Sequence, residues 1–128
     1  MVAAKKNPYD NYASNKVFSA SKEELVLMLY DGGLKFANKA IIYIEKEEIE
    51  EAGEAIVRVQ NIIREFQVTL DRQYEISHEL YNIYDYLYRR LVQANIKKDK
   101  EILIEVRDHI RTLRDTWKEA MVIAKKGN

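Results

Sequence analysis

The sequence predicts an all-α protein, an antiparallel four-helix bundle preceded by a partly ordered N-terminal arm. Three observations carry this. The 128 residues include a single proline and only four glycines, too few for a sheet with its many turns. Apolar residues recur three and four apart through four long stretches, the spacing that lines one face of a helix. The connections between those stretches run to roughly two to eight residues, which brings consecutive helices back alongside each other. Residues 1–20 form the arm and 21–128 the bundle domain.

The arm lacks sustained periodicity, but it carries Tyr9, Tyr12, Val17 and Phe18, more apolar side chains than a solvated tail needs. A short turn from Pro8 would set Tyr9 and Tyr12 on one side. The first helix opens with Ser21 followed three residues later by Glu24, the signature of a capping box, which places its start at Lys22. It is expected to run to about Lys46. Apolar rows through Leu25, Leu29 and Phe36, through Val26, Tyr30 and Ala37, and through Leu27 and Leu34 cover more of this helix than one core-facing stripe requires. Such breadth implies burial from several directions or a groove for a partner. Gly32 and Gly33 lie inside it, each unfavourable by roughly 0.8–1 kcal/mol against alanine, which suggests that a backbone comes close there.

A turn within the glutamate-rich stretch 45–51 leads to a second helix over about Ile49–Asp71, with Ala52, Ala55, Ile56, Val59, Ile63 and Phe66 at helical spacing. The third helix has Ser77 as a candidate N-cap and a seam of Ile76, Leu80, Ile83, Leu87, Leu91 and Ala94. Tyr81, Tyr84, Tyr86 and Tyr88 crowd the same helix. Residues 95–99 form the next connection, Asp99 caps the fourth helix, and its seam runs from Leu103 through Val106, Ile110, Leu113 and Trp117 to Ala124.

Several classes of function are disfavoured. Twenty-one basic residues balance twenty-one acidic ones, so no global field draws nucleic acid or an anionic membrane. No apolar run approaches the ~20 residues of a membrane span, and the first residues lack the apolar core of a secretory signal. The absence of cysteine removes disulfides and thiolate metal sites and suits a reducing cytoplasm. A di-iron bundle needs Glu-x-x-His on two helices, whereas the chain has two histidines, one of them at Glu75-x-x-His78 on a helix start. Neither a nucleophile motif nor a phosphate-cradling glycine loop occurs, so no enzyme is expected. Nine tyrosines exceed what one small core can hide with every hydroxyl paired, and some belong at a surface suited to an apolar or amphipathic peptide.

The residues that carry this reading also carry a resemblance. Asn7-Pro-Tyr-x-x-Tyr12, the run from Ala20 to Gly32, Val59-Gln-Asn-Ile-Ile63 with Thr69-Leu-Asp71, the tyrosine-rich run from Leu80 to Leu91 with Ala94-Asn95, and Leu113-Arg-Asp-Thr-Trp117 together resemble the flagellar secretion chaperones called FliS. The match spans nearly the whole chain. It implies a cytosolic chaperone without cofactor, nucleotide or metal that binds the disordered C-terminal region of flagellin, prevents premature polymerisation and presents the subunit to the flagellar type III export gate. Partners would be that flagellin segment and an export-gate component, with neither nucleic acid nor membrane insertion. Candidate client contacts combine arm residues with apolar positions off the cleanest seams: Tyr9, Tyr12, Val17, Leu29, Tyr30, Gly33, Ile56, Ile63, Tyr84 and Tyr88. Gly33 stands where members of that family often have another small residue. The alternatives are a structural bundle that self-associates through the tyrosines of the third helix and, behind it, a metal-binding bundle; weak homo-oligomerisation of the chaperone when free of client is a separate expectation.

Overall fold

The computed structural model describes residues 20–126, and over them the chain forms α1 Lys22–Glu45, α2 Ile49–Thr69, α3 Ile76–Lys97 and α4 Lys100–Lys126. Each helix packs along its sequence neighbours and α4 returns to α1, closing a ring of four. This is the antiparallel bundle that the periodicity predicts. The third and fourth helices touch least, and α1 meets α3 almost wholly across the core. Thus α1 is one corner of a square with two broad neighbours. Tyr9, Tyr12 and Val17 lie outside the described residues.

Local chemistry accounts for most boundaries. At the start of α1 the Ser21 amide donates to Glu24 Oε1 at 2.9 Å and the Glu24 amide to Ser21 Oγ at 3.1 Å, the capping box that the sequence predicts. The α1–α2 turn closes on Glu47, whose φ of 61° is left-handed, while the Glu48 amide donates back to the Tyr43 carbonyl at 2.8 Å. Helix α2 stops at Thr69, two residues before the predicted end, because Leu70 turns extended and Asp71 accepts from the Gln73 amide at 3.1 Å to make a side-chain turn. Ser77 does not cap α3. It lies inside the first turn, 2% exposed, and its hydroxyl has no hydrogen-bond partner among the described residues. Residues 95–97, read as connection, continue α3 for another turn, and only Lys98 (φ 52°) and Asp99 join it to α4. Asp99 Oδ1 then accepts from the amides of Glu101 and Ile102, as an N-cap should.

The core departs from the predicted seams in two places. On α3, Tyr84 rather than Ile83 points inward beside Leu87, Leu91 and Ala94, and both Ile83 and Ile76, the latter at the first residue of the helix, turn to the surface. On α4 the buried residues are Ile102, Leu103, Val106 and Ile110, Leu113 and Trp117 are half-buried, and Ala120 and Ala124 are exposed. The Trp117 indole donates to the Glu23 carbonyl at 3.0 Å, which sets it level with the first turn of α1. Residues 118–126 therefore run past the first turn of α1, and among the described residues no other helix continues beside them.

The paired glycines of α1 admit side chains, not a backbone. A Cβ on Gly32 would lie 3.5 Å from Ile62 Cδ1, and one on Gly33 would lie 3.6 Å from Ile110 Cδ1 and Cγ2, all ordinary contacts. Gly32→Ala should therefore raise the unfolding free energy by about 0.5–1 kcal/mol through reduced backbone entropy of the unfolded chain, read by urea denaturation. A loss of stability would show that Ile62 cannot accommodate the methyl group.

Candidate functional site

The sequence candidates fall into two groups once placed on the bundle. Five are interior: Tyr30, Gly33, Ile56, Ile63 and Tyr84 are buried, with Ile56 at 0% and Ile63 at 1% exposure. They offer no surface to a partner in this conformation. Tyr30 and Tyr84 meet across the bundle with their hydroxyls 2.7 Å apart, and Phe66 from α2 stacks between their rings at 4.4 and 5.3 Å. Leu29 and Tyr88 are half-buried and reach the surface, Tyr88 beneath the Arg64 guanidinium at 3.6 Å from its ring centre.

Leu29 belongs to a hollow of about 580 Å³ on the α1–α2 seam, lined also by Leu25, Met28 and Ile62 with Asn61 and Glu65 at its rim. A second hollow of about 520 Å³ opens on the α3–α4 seam between Ile83, Tyr86 and Leu113, bordered by Asn82, His109 and Thr112. In a ring of four helices these seams lie on opposite sides of the molecule. Both have apolar floors and polar rims, the form that takes the apolar face of a peptide helix. The hollows on the α2–α3 side are instead lined by groups such as Gln60, Asn95 and Lys98, which suits them poorly to that task. Family comparison now adds to this geometry.

The model for flagellar protein FliS matches residues 5–124. The chain belongs to the FliS family. Flagellar secretion chaperone FliS of Bacillus subtilis is 46% identical over 120 residues, covering 94% of this chain and 90% of that one. The proteins of the same name from Escherichia coli and Salmonella typhimurium are each 34% identical, over 109 and 106 residues, covering 83% and 80% of this chain and 80% and 78% of theirs. FliS proteins are chaperones and not an enzyme family.

Among the described residues no group of three or more His, Asp or Glu side chains gathers as a metal ligand set, and no helix is long and apolar enough to cross a membrane. The sharpest polar arrangement tethers α3 to α4 beside the second hollow. The Tyr86 hydroxyl donates to Glu105 Oε2 at 2.5 Å and Arg90 Nε to Oε1 at 2.8 Å, and together they hold the Glu105 carboxyl below the usual carboxylate range. The pairing shores up the seam where the helices touch least.

Ile62, Leu25 and Met28 on one side, and Ile83, Tyr86 and Leu113 on the other, were not among the sequence candidates. A usable signal exists in neighbouring apolar pairs. Adjacent helical residues point about 100° apart, so in Ile62-Ile63 and Ile83-Tyr84 only one member can face the core and the other must turn toward a seam. Ile63 and Tyr84 take the core, and their neighbours line the hollows.

Burial raises the pKa of both Tyr30 and Tyr84 above the ordinary value near 10, Tyr84 the more strongly. Because the folded state resists ionisation, the contribution of the pair is complete below pH about 10 and is lost as pH rises through the raised folded values. Alkaline titration should show these two phenols ionising only as the chain unfolds, a tyrosinate absorbance step that coincides with loss of helical circular dichroism. Removing one hydroxyl strands the other: Tyr84→Phe alone should cost about 1–3 kcal/mol, and adding Tyr30→Phe should restore most of it. Additive losses in urea unfolding of the two singles and the double would mean that the hydroxyls do not depend on each other.

Proposed function

We propose that this chain is a cytosolic export chaperone that binds the disordered C-terminal region of flagellin, prevents its premature polymerisation and hands it to an export-gate component of the flagellar type III apparatus. The observation that carries the reading is the α1–α2 hollow of Leu25, Met28, Leu29 and Ile62, an apolar recess with a polar rim on the surface of a FliS-family bundle. The names of the relatives from Bacillus subtilis, Escherichia coli and Salmonella typhimurium, all flagellar secretion chaperones, support it.

The physics of the task matches the surface. A segment that forms amphipathic helices on assembly would otherwise pair with other copies of its own chain, and burying its apolar face in a recess removes that option. Two recesses on opposite sides suit a long client that wraps the bundle rather than a compact one. Ordering such a client offsets several kcal/mol of the contact energy, which leaves capture reversible and release at the export gate feasible.

Calorimetric titration with a peptide from the C-terminal region of flagellin tests this directly. Saturable heat with a 1:1 complex on light scattering is expected, and Ile62→Asp should weaken binding by about tenfold or more, since it puts a charge where an apolar side chain would be buried. Absence of heat and of co-elution at micromolar concentrations would refute the reading, and growth of the free chain into larger assemblies would favour a self-associating bundle.

A further inference from the structure

The basic residues of this neutral chain are not distributed alike. Every arginine on α3 and α4 lies within ion-pair distance of a carboxylate, as Arg114 does with Asp31 at 3.3 Å. By contrast Arg58, Arg64 and Arg72 form no ion pair among the described residues, and each lies over an aromatic ring. The concentration is greatest at Phe36. Lys35 Nζ, Lys39 Nζ and Arg58 Cζ stand 5.6, 5.5 and 5.2 Å from the centre of that ring, and neither lysine is ion-paired among the described residues. All three heads are thus gathered on one ring, where each new positive charge adds to the local field, most strongly at low ionic strength.

Ordinary surface design would separate such charges or give them partners. Lys35 and Lys39 are four apart on one helix, where like charges destabilise. Glu51 and Glu54 share a small hollow with Phe36, Lys39, Tyr43 and Arg58, yet neither bonds to a cation there. Among the described residues the three cations therefore stand around a half-buried ring without an ion pair of their own. It also has a definite position, on the same α1–α2 seam as the Leu25–Ile62 hollow and about two helical turns further along α1.

From this we propose that the α1–α2 seam recognises its client by charge as well as by apolar contact, and that an acidic stretch of the client, adjoining the segment in the apolar hollow, docks on Lys35, Lys39 and Arg58 around Phe36. The inference rests on the client reading and extends it. Carboxylates meet the three cations on the side away from Glu51 and Glu54, while an aliphatic side chain between them covers the Phe36 ring. Charge complementarity is what selects this occupant, because a basic or neutral segment would leave the repulsion in place. Continuity along one seam is what assigns it to the same chain as the apolar helix.

Titration of the full chain and of the triple variant Lys35→Gln, Lys39→Gln and Arg58→Gln with the flagellin C-terminal peptide decides the matter. The variant should bind about tenfold more weakly at low ionic strength, with the difference shrinking at high salt. A peptide with its acidic side chains replaced by amides should lose a similar factor against the unaltered chain and little more against the variant. Arg111→Gln on α4 should bind as the unaltered chain does. Equal affinity of the triple variant for the acidic peptide, or losses that simply multiply between variant and amidated peptide, would overturn the charge proposal and leave the client reading standing. Binding by none of the proteins would overturn both. Melting temperature is the check on folding, and the variant should match or exceed the unaltered chain because it relieves like-charge repulsion.

Discussion

The architecture depends on the contact between Tyr30 and Tyr84. In a ring of four helices nothing joins opposite corners except what crosses the core, and here a hydroxyl pair at 2.7 Å spans α1 and α3 with Phe66 of α2 stacked between. Each hydroxyl would be an unpaired buried group without the other, so the distance between the helices is set by a bond with narrow tolerance as well as by ring volume. Toward the other end of the bundle the alanines Ala37, Ala40, Ala52, Ala55 and Ala94, none more than 5% exposed, are buried among larger residues such as Ile56, Leu91 and Leu103. The two larger apolar hollows are lined by neighbours of the aromatic contact, Leu29 beside Tyr30 on one seam and Ile83 beside Tyr84 on the other, so core and groove share the same stretches of α1 and α3.

This division of the interior bears on how a FliS-family bundle meets other chains. A surface recess that is rigid in the unoccupied state loses little conformational entropy when filled, so most of the ordering falls on the incoming segment. Rigidity on one seam comes from Tyr30, Phe66 and Tyr84 beneath it, and on the other from Glu105, which receives both Tyr86 and Arg90. Residues that touch no partner can therefore govern binding by fixing the walls.

Much of the fold was legible in the sequence, and the reasons are local. Ser21 with Glu24 and Asp99 before Glu101 are chemical signals at single positions, and the structure has both caps. Where the reading missed, a non-local competitor decided. Ser77 looked like a cap, but the chain enters α3 earlier and the residue is drawn inside. Ile83 looked like core because it continued a seven-residue rhythm, but Tyr84 could reach Tyr30, and that partner sits 54 positions away. The same limit applies to the candidate surface. Tyr30, Ile56, Ile63 and Tyr84 were chosen for their apolar character off the cleanest seams, a criterion that does not distinguish a wall from a floor, whereas Leu29 and Tyr88 do reach the outside. Periodicity shows that a face is apolar and leaves open which neighbour covers it.

The length of α4 has a separate consequence. Once Trp117 has bonded to the first turn of α1, the remaining turns have no neighbouring helix among the described residues, and lysines sit at the favourable end of the dipole. A stretch so short is marginal as an isolated helix in water. Burial is accordingly graded along the fourth helix: Leu103 and Val106 sit in the core, Trp117 marks the edge of the body, and the backbone hydrogen bonds beyond it are the more open to water among the described residues, the ordinary condition for local fraying.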